Sequence, residues 1–144
     1  MLKRNKILIF IILVILMSSL GCLKPVTDSF TNVNLNFASK TMVITKDVSG
    51  STIYYQSKYQ EPQQVTITLQ ASDERIGLSW EPSGTFKPSI SWTQEIGREL
   101  PNSKNFYILI KGSSLPKDQY DIYASIKGGR SNDFSNDTMI VDYK

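Results

Sequence analysis

The sequence predicts an all-β domain in which two antiparallel sheets pack face to face. Runs of alternating apolar and polar residues recur after residue 40, and this period of two is typical of strands with one buried face. Breaks that contain Gly or Pro separate the runs by roughly 8–14 residues, a spacing typical of sandwiches. No long stretch after Cys22 keeps a helical period, so we expect little helix there.

The strand signals follow one another in a regular order along the chain. The clearest lie at residues 65–71, 76–80 and 120–126, where every second residue is apolar. Further strands are predicted at residues 42–44, 52–56, 90–92, 106–110 and 139–141. Residues 93–103 lack the pattern, and we expect them to form an inserted loop. The roughly 100 residues after residue 40 match the size of one sandwich domain of about seven strands.

The N-terminal segment has the pattern of a targeting sequence. Lys3, Arg4 and Lys6 precede an uncharged apolar run at residues 7–17, which is the order of the two regions of a secretory signal. Small residues follow, and then comes the single cysteine of the chain, Cys22. Because basic residues before an apolar segment stay in the cytoplasm, we expect the residues after it to lie outside.

The residues Ser19-Leu20-Gly21-Cys22 resemble the lipobox of prokaryotic lipoproteins, although that family usually has Leu where this chain has Ser19. The resemblance implies that a diacylglyceryl group is attached to the Cys22 thiol and that cleavage after Gly21 makes Cys22 the N-terminus. Membrane lipid would then hold the chain at the extracytoplasmic face of the cell membrane. The alternative is an uncleaved anchor, since residues 7–23 number 17, at the short limit for a membrane-spanning helix.

These features divide the chain into three expected parts. They are a lipoprotein signal peptide or anchor helix at residues 1–21, a polar tether from the lipidated cysteine at residues 22–40, and the sandwich at residues 41–144. At the end of the tether, Val33, Leu35 and Phe37 alternate with asparagines. This alternation is compatible with a first edge strand.

Two further stretches resemble the immunoglobulin-like repeat domains of prokaryotic cell-surface proteins. Residues 77–84 read GLSWEPSG, a glycine-containing strand that ends in aromatic-x-Pro-Ser. Residues 115–124 read LPKDQYDIYA, a proline turn followed by a strand that begins at Tyr120 and ends at Ala124. The resemblance covers about residues 42–143 and implies an immunoglobulin-like sandwich of about seven antiparallel strands. In that fold Tyr120 is expected to form a tyrosine corner, in which the hydroxyl bonds to nearby backbone.

The composition excludes several classes of function. The chain has no histidine and one cysteine, so the commonest general base is missing. Thiolate zinc sites and iron–sulfur clusters need more cysteines than this. No serine or cysteine has a histidine to activate it as a nucleophile. We therefore expect no catalysis, no metal and no cofactor.

The charge balance argues against a nucleic-acid partner. The chain has 16 Lys and Arg residues and 13 Asp and Glu residues, a net charge of +3. Removal of residues 1–21 takes away Lys3, Arg4 and Lys6 and leaves 13 basic and 13 acidic residues. Binding to phosphates relies on a basic patch, so we expect no nucleic acid.

Two functions from different classes stay open. The first is a non-catalytic structural or protein-interaction module at the cell surface, with a protein or a cell-surface polymer as its partner. The alternative is a small carbohydrate-binding module that uses exposed aromatic residues, for which Tyr54, Tyr55 and Tyr59 are the candidate ligand platform. A coplanar row of exposed tyrosines would favour the alternative, and exposed faces of Thr, Ser, Lys and Gln would favour the first.

The two tryptophans are expected to be structural. Trp80 has the parity of Leu78, and Trp92 has the parity of Ile90, so both should face the interior. The predicted core comprises Leu78, Trp80, Trp92, Ile108, Ile110, Tyr120 and Ile122.

Residues 131–137 contain the tripeptide Ser-Asn-Asp twice. They lack the spacing and the glycine of a calcium loop, so we expect a polar hairpin loop. Within it, Asn136-Asp137-Thr138 is an N-glycosylation sequon, which makes Asn136 a candidate modification site.

Overall fold

A computed structural model describes residues 32–98, 102–129 and 133–144, all within one compact unit that spans Thr31–Lys144. In this part of the chain there are nine strands: β1 Val33–Phe37, β2 Thr41–Ile44, β3 Ser49–Ser57, β4 Gln63–Ala71, β5 Ile76–Ser79, β6 Ser89–Ile96, β7 Asn102–Ile110, β8 Gln119–Lys127 and β9 Phe134–Tyr143. The same residues contain no helix that is long and apolar enough to cross a membrane. The lipobox and the expected signal helix lie outside the described residues.

The strands form two facing sheets, as the sequence predicts. Sheet A has the order β1-β3-β7-β5, and sheet B has the order β2-β9-β8-β4-β6. If β2 and β6 are set aside, the other seven strands have the arrangement of a constant-type immunoglobulin domain, with four strands facing three. The expectation of antiparallel pairing throughout is wrong at one place, because β2 runs parallel to β9.

The chain crosses from one sheet to the other at almost every connection. Among the described strands, only β8 and β9 follow one another within the same sheet. Neighbours in a sheet are therefore often far apart in the sequence. This arrangement places residues about 100 positions apart in direct contact between β1 and β9.

The core lies between the sheets and follows the predicted alternation. In β4, Val65, Ile67 and Leu69 are fully buried, while the threonines between them face outward. Of the predicted core, Leu78, Ile108, Ile110 and Ile122 are buried. The remaining three are corrected: Trp80, Trp92 and Tyr120 are only partly buried and pack against the edge of the core.

The tyrosine corner is confirmed. The Tyr120 hydroxyl donates a hydrogen bond of 2.7 Å to the Pro116 carbonyl oxygen, four residues upstream. Removal of this side chain from water raises the pKa of the Tyr120 hydroxyl, with a smaller contribution from the nearby Asp73 carboxylate. The corner fixes the turn through which the chain enters β8.

Two boundaries differ from the sequence predictions. The sandwich begins at β1, within the residues 22–40 assigned to the tether, and Val33, Leu35 and Phe37 form the edge strand that their alternation allows. The loop expected at residues 93–103 is wrong, because β6 extends to Ile96 and β7 begins at Asn102. The sequence does not reveal the end of β6 because the residues there are mostly polar. Most side chains of β6 are exposed, and the strand is held by pairing with β4.

Candidate functional site

The edges of the two sheets differ in how they are protected. An edge strand presents unpaired N–H and C=O groups, which can pair with another chain. In the described part of the chain, the edge strands are β1 and β5 in sheet A, and β2 and β6 in sheet B. Their comparison locates the candidate site.

Polar side chains of β9 close the edge at β1. The backbone N–H of Phe37 donates to Asp137 Oδ2 at 2.8 Å, and the N–H of Leu35 donates to Ser135 Oγ at 3.4 Å. Alternate residues of one strand thus meet alternate residues of the other. These N–H groups are occupied and offer no template to an incoming strand.

Asp137 accepts three hydrogen bonds at this edge. Burial acts to raise the pKa of its carboxyl group, but hydrogen bonds from the Lys40 ammonium and from the N–H groups of Phe37 and Thr138 outweigh it, so the pKa lies below its usual value. Lys40 also forms an ion pair with Asp137. The carboxylate therefore stays charged at neutral pH and holds β1 through charge-assisted hydrogen bonds.

A buried carboxylate continues this edge at the start of β1. Asp133 is 3% exposed and accepts hydrogen bonds from the Tyr59 hydroxyl at 2.6 Å and from the Asn32 N–H at 3.1 Å. A Cβ atom added to Gly128 would lie 1.8 Å from the Tyr59 hydroxyl. The absence of a side chain at Gly128 therefore leaves the space that Tyr59 occupies.

The edges at β5 and β2 are short. Each of these strands has four residues. On β5, Leu78 exchanges two backbone hydrogen bonds, of 2.7 and 2.9 Å, with Lys87 in the connection to β6. A short strand that is partly covered offers little to a partner.

The edge at β6 is long and open. This strand has eight residues, Ser89–Ile96, and among the described strands it pairs with β4 alone. It contains no lysine or proline, and Glu95 is its one charged residue. Natural edge strands are usually blunted by such residues, by bulges or by short length, so β6 is the least protected of the described edges.

The first half of β6 is partly covered by Trp80. The Trp80 indole N–H donates to the Ser91 carbonyl oxygen at 3.2 Å, while the Pro88 carbonyl oxygen accepts from the Ala71 N–H of β4. Backbone groups of alternate residues point to opposite sides of an antiparallel strand. The N–H and C=O groups of Thr93 and Glu95 therefore face the open side, beyond Trp80.

An aromatic cluster lies on the inner side of this edge. The Lys104 ammonium of β7 is 4.3 Å from the ring centre of Trp92 and 5.3 Å from that of Trp80. Tyr55 packs edge-to-face on Trp92 with ring centres 5.6 Å apart. The cluster lies at the boundary of the core and places two partly buried indoles and a cation beside the open strand.

A groove lies along the covered half of the edge. Its volume is about 430 Å³, and its lining includes Trp80, Lys87, Ser89 and Ser91. It separates the connection between β5 and β6 from the start of β6 itself. Open backbone, partly buried aromatic rings and a groove thus occur together along β6.

The outer face of sheet B is mostly neutral and polar. Hydroxyl pairs bridge β4 and β6, with 3.0 Å between the side-chain oxygens of Thr66 and Thr93 and the same distance between those of Thr68 and Ser91. Two aromatic side chains interrupt the face: Tyr123 is 46% exposed and Phe134 is 47% exposed. A hollow of about 280 Å³ is lined by both of them.

The structure does not bring the three candidate platform tyrosines together. Tyr54 is 43% exposed, whereas Tyr55 and Tyr59 are buried in the core. Tyr54 and Tyr55 are neighbours in a strand, so they point to opposite faces. The same alternation would have found this in the sequence. The exposed aromatic residues of sheet B, Tyr123 and Phe134, are not among the predicted platform residues.

The other sequence candidates are placed as follows. Asn136 is exposed in β9 opposite Ser125 of β8, so the expectation of a hairpin loop at this position is wrong. Cys22 lies outside the described residues. Within residues 32–98, 102–129 and 133–144, no group of three or more His, Cys, Asp or Glu side chains could hold a metal ion.

The perturbed acidic groups have structural partners. Hydrogen bonds from the Arg75 side chain and backbone lower the pKa of Asp73 to about 2, and the two side chains form an ion pair of 2.6 Å. The hydrogen bond that Tyr123 donates to Asp121 raises the pKa of its hydroxyl. Each of these shifts has its cause in a contact within one turn or one strand.

Comparisons with known proteins show similarity of fold. No family model and no curated protein matches the chain. Among solved structures, a family 123 glycoside hydrolase from Clostridium perfringens is similar at 13% identity with a TM-score of 0.54, over 78% of this chain and 27% of that one. This similarity shows a shared sandwich fold alone, and the matched part is about a quarter of the hydrolase.

Two other structures are less similar. The PapD-like domain 7 of human CEP192 matches at 12% identity and a TM-score of 0.46, over 85% of this chain and 91% of that one. The E. coli chaperone DraB matches at 15% identity and a TM-score of 0.42, over 76% of this chain and 54% of that one.

Proposed function

We propose that this chain is a non-catalytic protein-interaction module, held at the extracytoplasmic face of the membrane, and that it binds an extended peptide along β6. The observation that carries the proposal is the contrast between β6 and the other described edges. β1 is closed by side chains of β9, and β2 and β5 have four residues each. β6 has eight residues and pairs with one of the described strands.

The binding mode is strand addition. An extended peptide pairs its backbone with an exposed sheet edge, and its alternate side chains give specificity. Thr93 and Glu95 each offer one N–H and one C=O on the open side. Peptide side chains that point inward would meet Trp92 and Lys104, where the ammonium nitrogen lies 4.3 Å from the indole ring centre. Peptide side chains that point outward would extend the polar face of sheet B.

The chemistry of the chain supports a binding role. It has no histidine, so a serine or cysteine nucleophile has no imidazole base beside it. The residues after position 21 have equal numbers of basic and acidic groups, which disfavours binding to phosphate backbones. Binding of a protein partner needs neither a histidine base nor an excess of basic residues.

The free edge is tested by a proline substitution that keeps the pairing with β4. The N–H of Thr93 faces the open side, so Thr93→Pro removes a donor to the partner, and proline is tolerated at such edge positions. The matched control is Thr93→Ala, which keeps the N–H. The probe is a displayed library of random peptides, selected on the full chain in detergent.

Selected peptides should protect the amides of Thr93 and Glu95 from hydrogen exchange, and they should bind Thr93→Ala but not Thr93→Pro. Peptides that bind both variants equally, or that protect amides of other strands instead, would show that β6 is not the binding edge. Failure to select any peptide would also count against the proposal.

The anchor is tested separately. The motif Ser19-Leu20-Gly21-Cys22 supports lipidation of Cys22, and stable attachment needs more than one acyl chain. We expect the intact mass of the membrane-extracted protein to correspond to residues 22–144 plus a diacylglyceryl group. Cys22→Ser should keep residue 1 and lose the lipid. A wild-type protein that retains Met1 and carries no lipid would instead indicate the uncleaved anchor.

A further inference from the structure

We propose that the outer face of sheet B has a second binding site, a hollow between Tyr123 and Phe134 that takes a neutral oligosaccharide. The hollow has a volume of about 280 Å³, near the lower end of the range for ligand pockets. The inference is independent of peptide binding at β6.

The register of β8 and β9 defines the length of the site. Tyr123 lies opposite Thr138, and Phe134 lies opposite Lys127. The two aromatic residues are therefore four positions apart along the strands, which is about 13 Å at the usual rise per residue. Both rings are nearly half exposed, so each end of the hollow has an apolar surface that water covers in the free protein.

The floor of the hollow between the rings is polar and uncharged. Ser125 and Asn136 lie opposite one another on β8 and β9, and Thr68 of β4 lies beside Ser125. All three line the hollow, as do Gln70 and Thr138. Their hydroxyl and amide groups both donate and accept hydrogen bonds, so they suit a ligand rich in hydroxyl groups.

The charges nearby are already engaged or lie at the margin. Asp137 also lines the hollow, but its carboxylate is bonded to Lys40 and to the Phe37 N–H. No lysine or arginine is among the lining residues; the cation at the margin is Lys127, which lies opposite Phe134, so the middle of the hollow offers an anionic ligand no cation. A wholly apolar ligand would leave the amides and hydroxyls without partners.

A pyranose combines the two properties that this hollow matches. Its rim carries hydroxyl groups that donate and accept, and its C–H faces are apolar and can cover an aromatic ring. Aromatic side chains bury a large apolar surface, and a stacked ring on each of Tyr123 and Phe134 would bury both. The hydroxyls between them would meet Ser125, Thr68 and Asn136.

Asn136 also introduces a second source of the same chemistry. It begins the sequon Asn136-Asp137-Thr138 and lines the hollow, so a glycan attached to it would lie beside Phe134. We commit to a free oligosaccharide of the cell surface as the ligand. A glycan carried by Asn136 itself is an outcome of the test.

The test uses the full chain in a detergent without sugar groups and an array of neutral oligosaccharides as the probe. Hits are titrated in solution against three variants. Tyr123→Ala and Phe134→Ala should each weaken binding by about tenfold, comparable to the loss of an aromatic ring that stacks on a nucleic-acid base. Tyr123→Phe keeps the ring and should bind within about twofold of the wild type.

The matched control is Tyr54→Ala. Tyr54 has a similar exposure, at 43%, but it lies on sheet A, so its removal should leave affinity unchanged. Absence of any array hit, or equal affinity of Tyr123→Ala and wild type, would overturn the proposal. So would an intact mass showing that Asn136 carries a glycan in the native protein, since that glycan would occupy the hollow.

Discussion

The edges at β1 and β6 are both long enough to pair with another strand, yet one is closed and the other is open. At β1, the N–H groups of Leu35 and Phe37 are bonded to side chains that β9 presents. At β6, the backbone of Thr93 and Glu95 faces no other described strand. The same domain thus contains the means to protect an edge and applies it to one side.

This difference indicates which edge should bind a partner. Unprotected edges promote association between chains, so an open strand in a domain that protects another edge is a candidate binding site. The polar residues that close β1 are Asp133, Ser135 and Asp137. The alternate polar residues of β6 itself are Ser91, Thr93 and Glu95. The side chains of Ser91 and Thr93 are hydrogen-bonded to side chains of β4 and do not close the free edge.

The largest effect is expected at the closed edge. Asp133→Ala removes the acceptor of the Tyr59 hydroxyl and of the Asn32 N–H in a buried place. Loss of these buried hydrogen bonds, which leaves the donors without their acceptor, should lower the free energy of unfolding by about 3 kcal/mol. Urea denaturation of the two proteins measures this difference.

The control on the open edge is Glu95→Ala. Glu95 is exposed on β6, so its removal should change stability by about 0.5 kcal/mol or less. Equal destabilisation by the two substitutions would mean that the closed edge is no better secured than the open one.

An intermediate effect is expected at the aromatic seam beside β6. Trp92→Ala removes contacts with Tyr55 and Lys104, but Trp92 is only partly buried. We expect a loss of about 2 kcal/mol, below the 3–5 kcal/mol typical of large aromatic residues removed from a packed interior. Thermal denaturation of Trp92→Ala and of Phe106→Ala, which removes a fully buried ring, measures the two losses of stability.

The conservative variant Lys104→Met separates packing from charge. It keeps an unbranched chain between the indoles and removes the ammonium, so it should cost about 0.5–1 kcal/mol if the cation–π contacts stabilise the aromatic cluster.

A loss of stability in Trp92→Ala as large as that in Phe106→Ala would contradict the partly buried position of Trp92 and place it in the core.

The smallest effect is expected from acid, and it should act on β1 more than on β6. The pKa of Asp137 is lower in the folded chain than its usual value. Its contribution to stability is therefore complete above the unfolded value near 4 and is lost as the pH falls through the folded value. The free energy of unfolding should decline over this range in the wild type.

Asp137→Asn should make that decline shallower between about pH 5 and 3. Asp73, whose pKa Arg75 lowers to about 2, is present in both proteins, so its own contribution to the pH dependence cancels in the comparison. Parallel pH profiles of wild type and Asp137→Asn would contradict the role given to this carboxylate.

Several features of this protein follow from the sequence by local physics. The alternation in residues 65–71 predicts a half-buried strand, and β4 is one. A proline turn before Tyr120 predicts a tyrosine corner, and the hydroxyl bonds to Pro116. Both depend on residues a few positions apart, where the chain itself fixes the geometry. The lipobox at Ser19–Cys22 is of the same kind, and it stays a prediction.

The tertiary structure decided the rest, because it depends on contacts between distant residues. The closure of β1 joins residues about 100 positions apart, and the parallel pairing of β2 with β9 is equally remote. The parity of Trp80 and Trp92 indicated the inner face correctly, but their location beside the edge strands β5 and β6 leaves both rings only partly buried. A period of two tells which side of a strand a residue faces, and only the neighbours of that strand determine whether the side is covered.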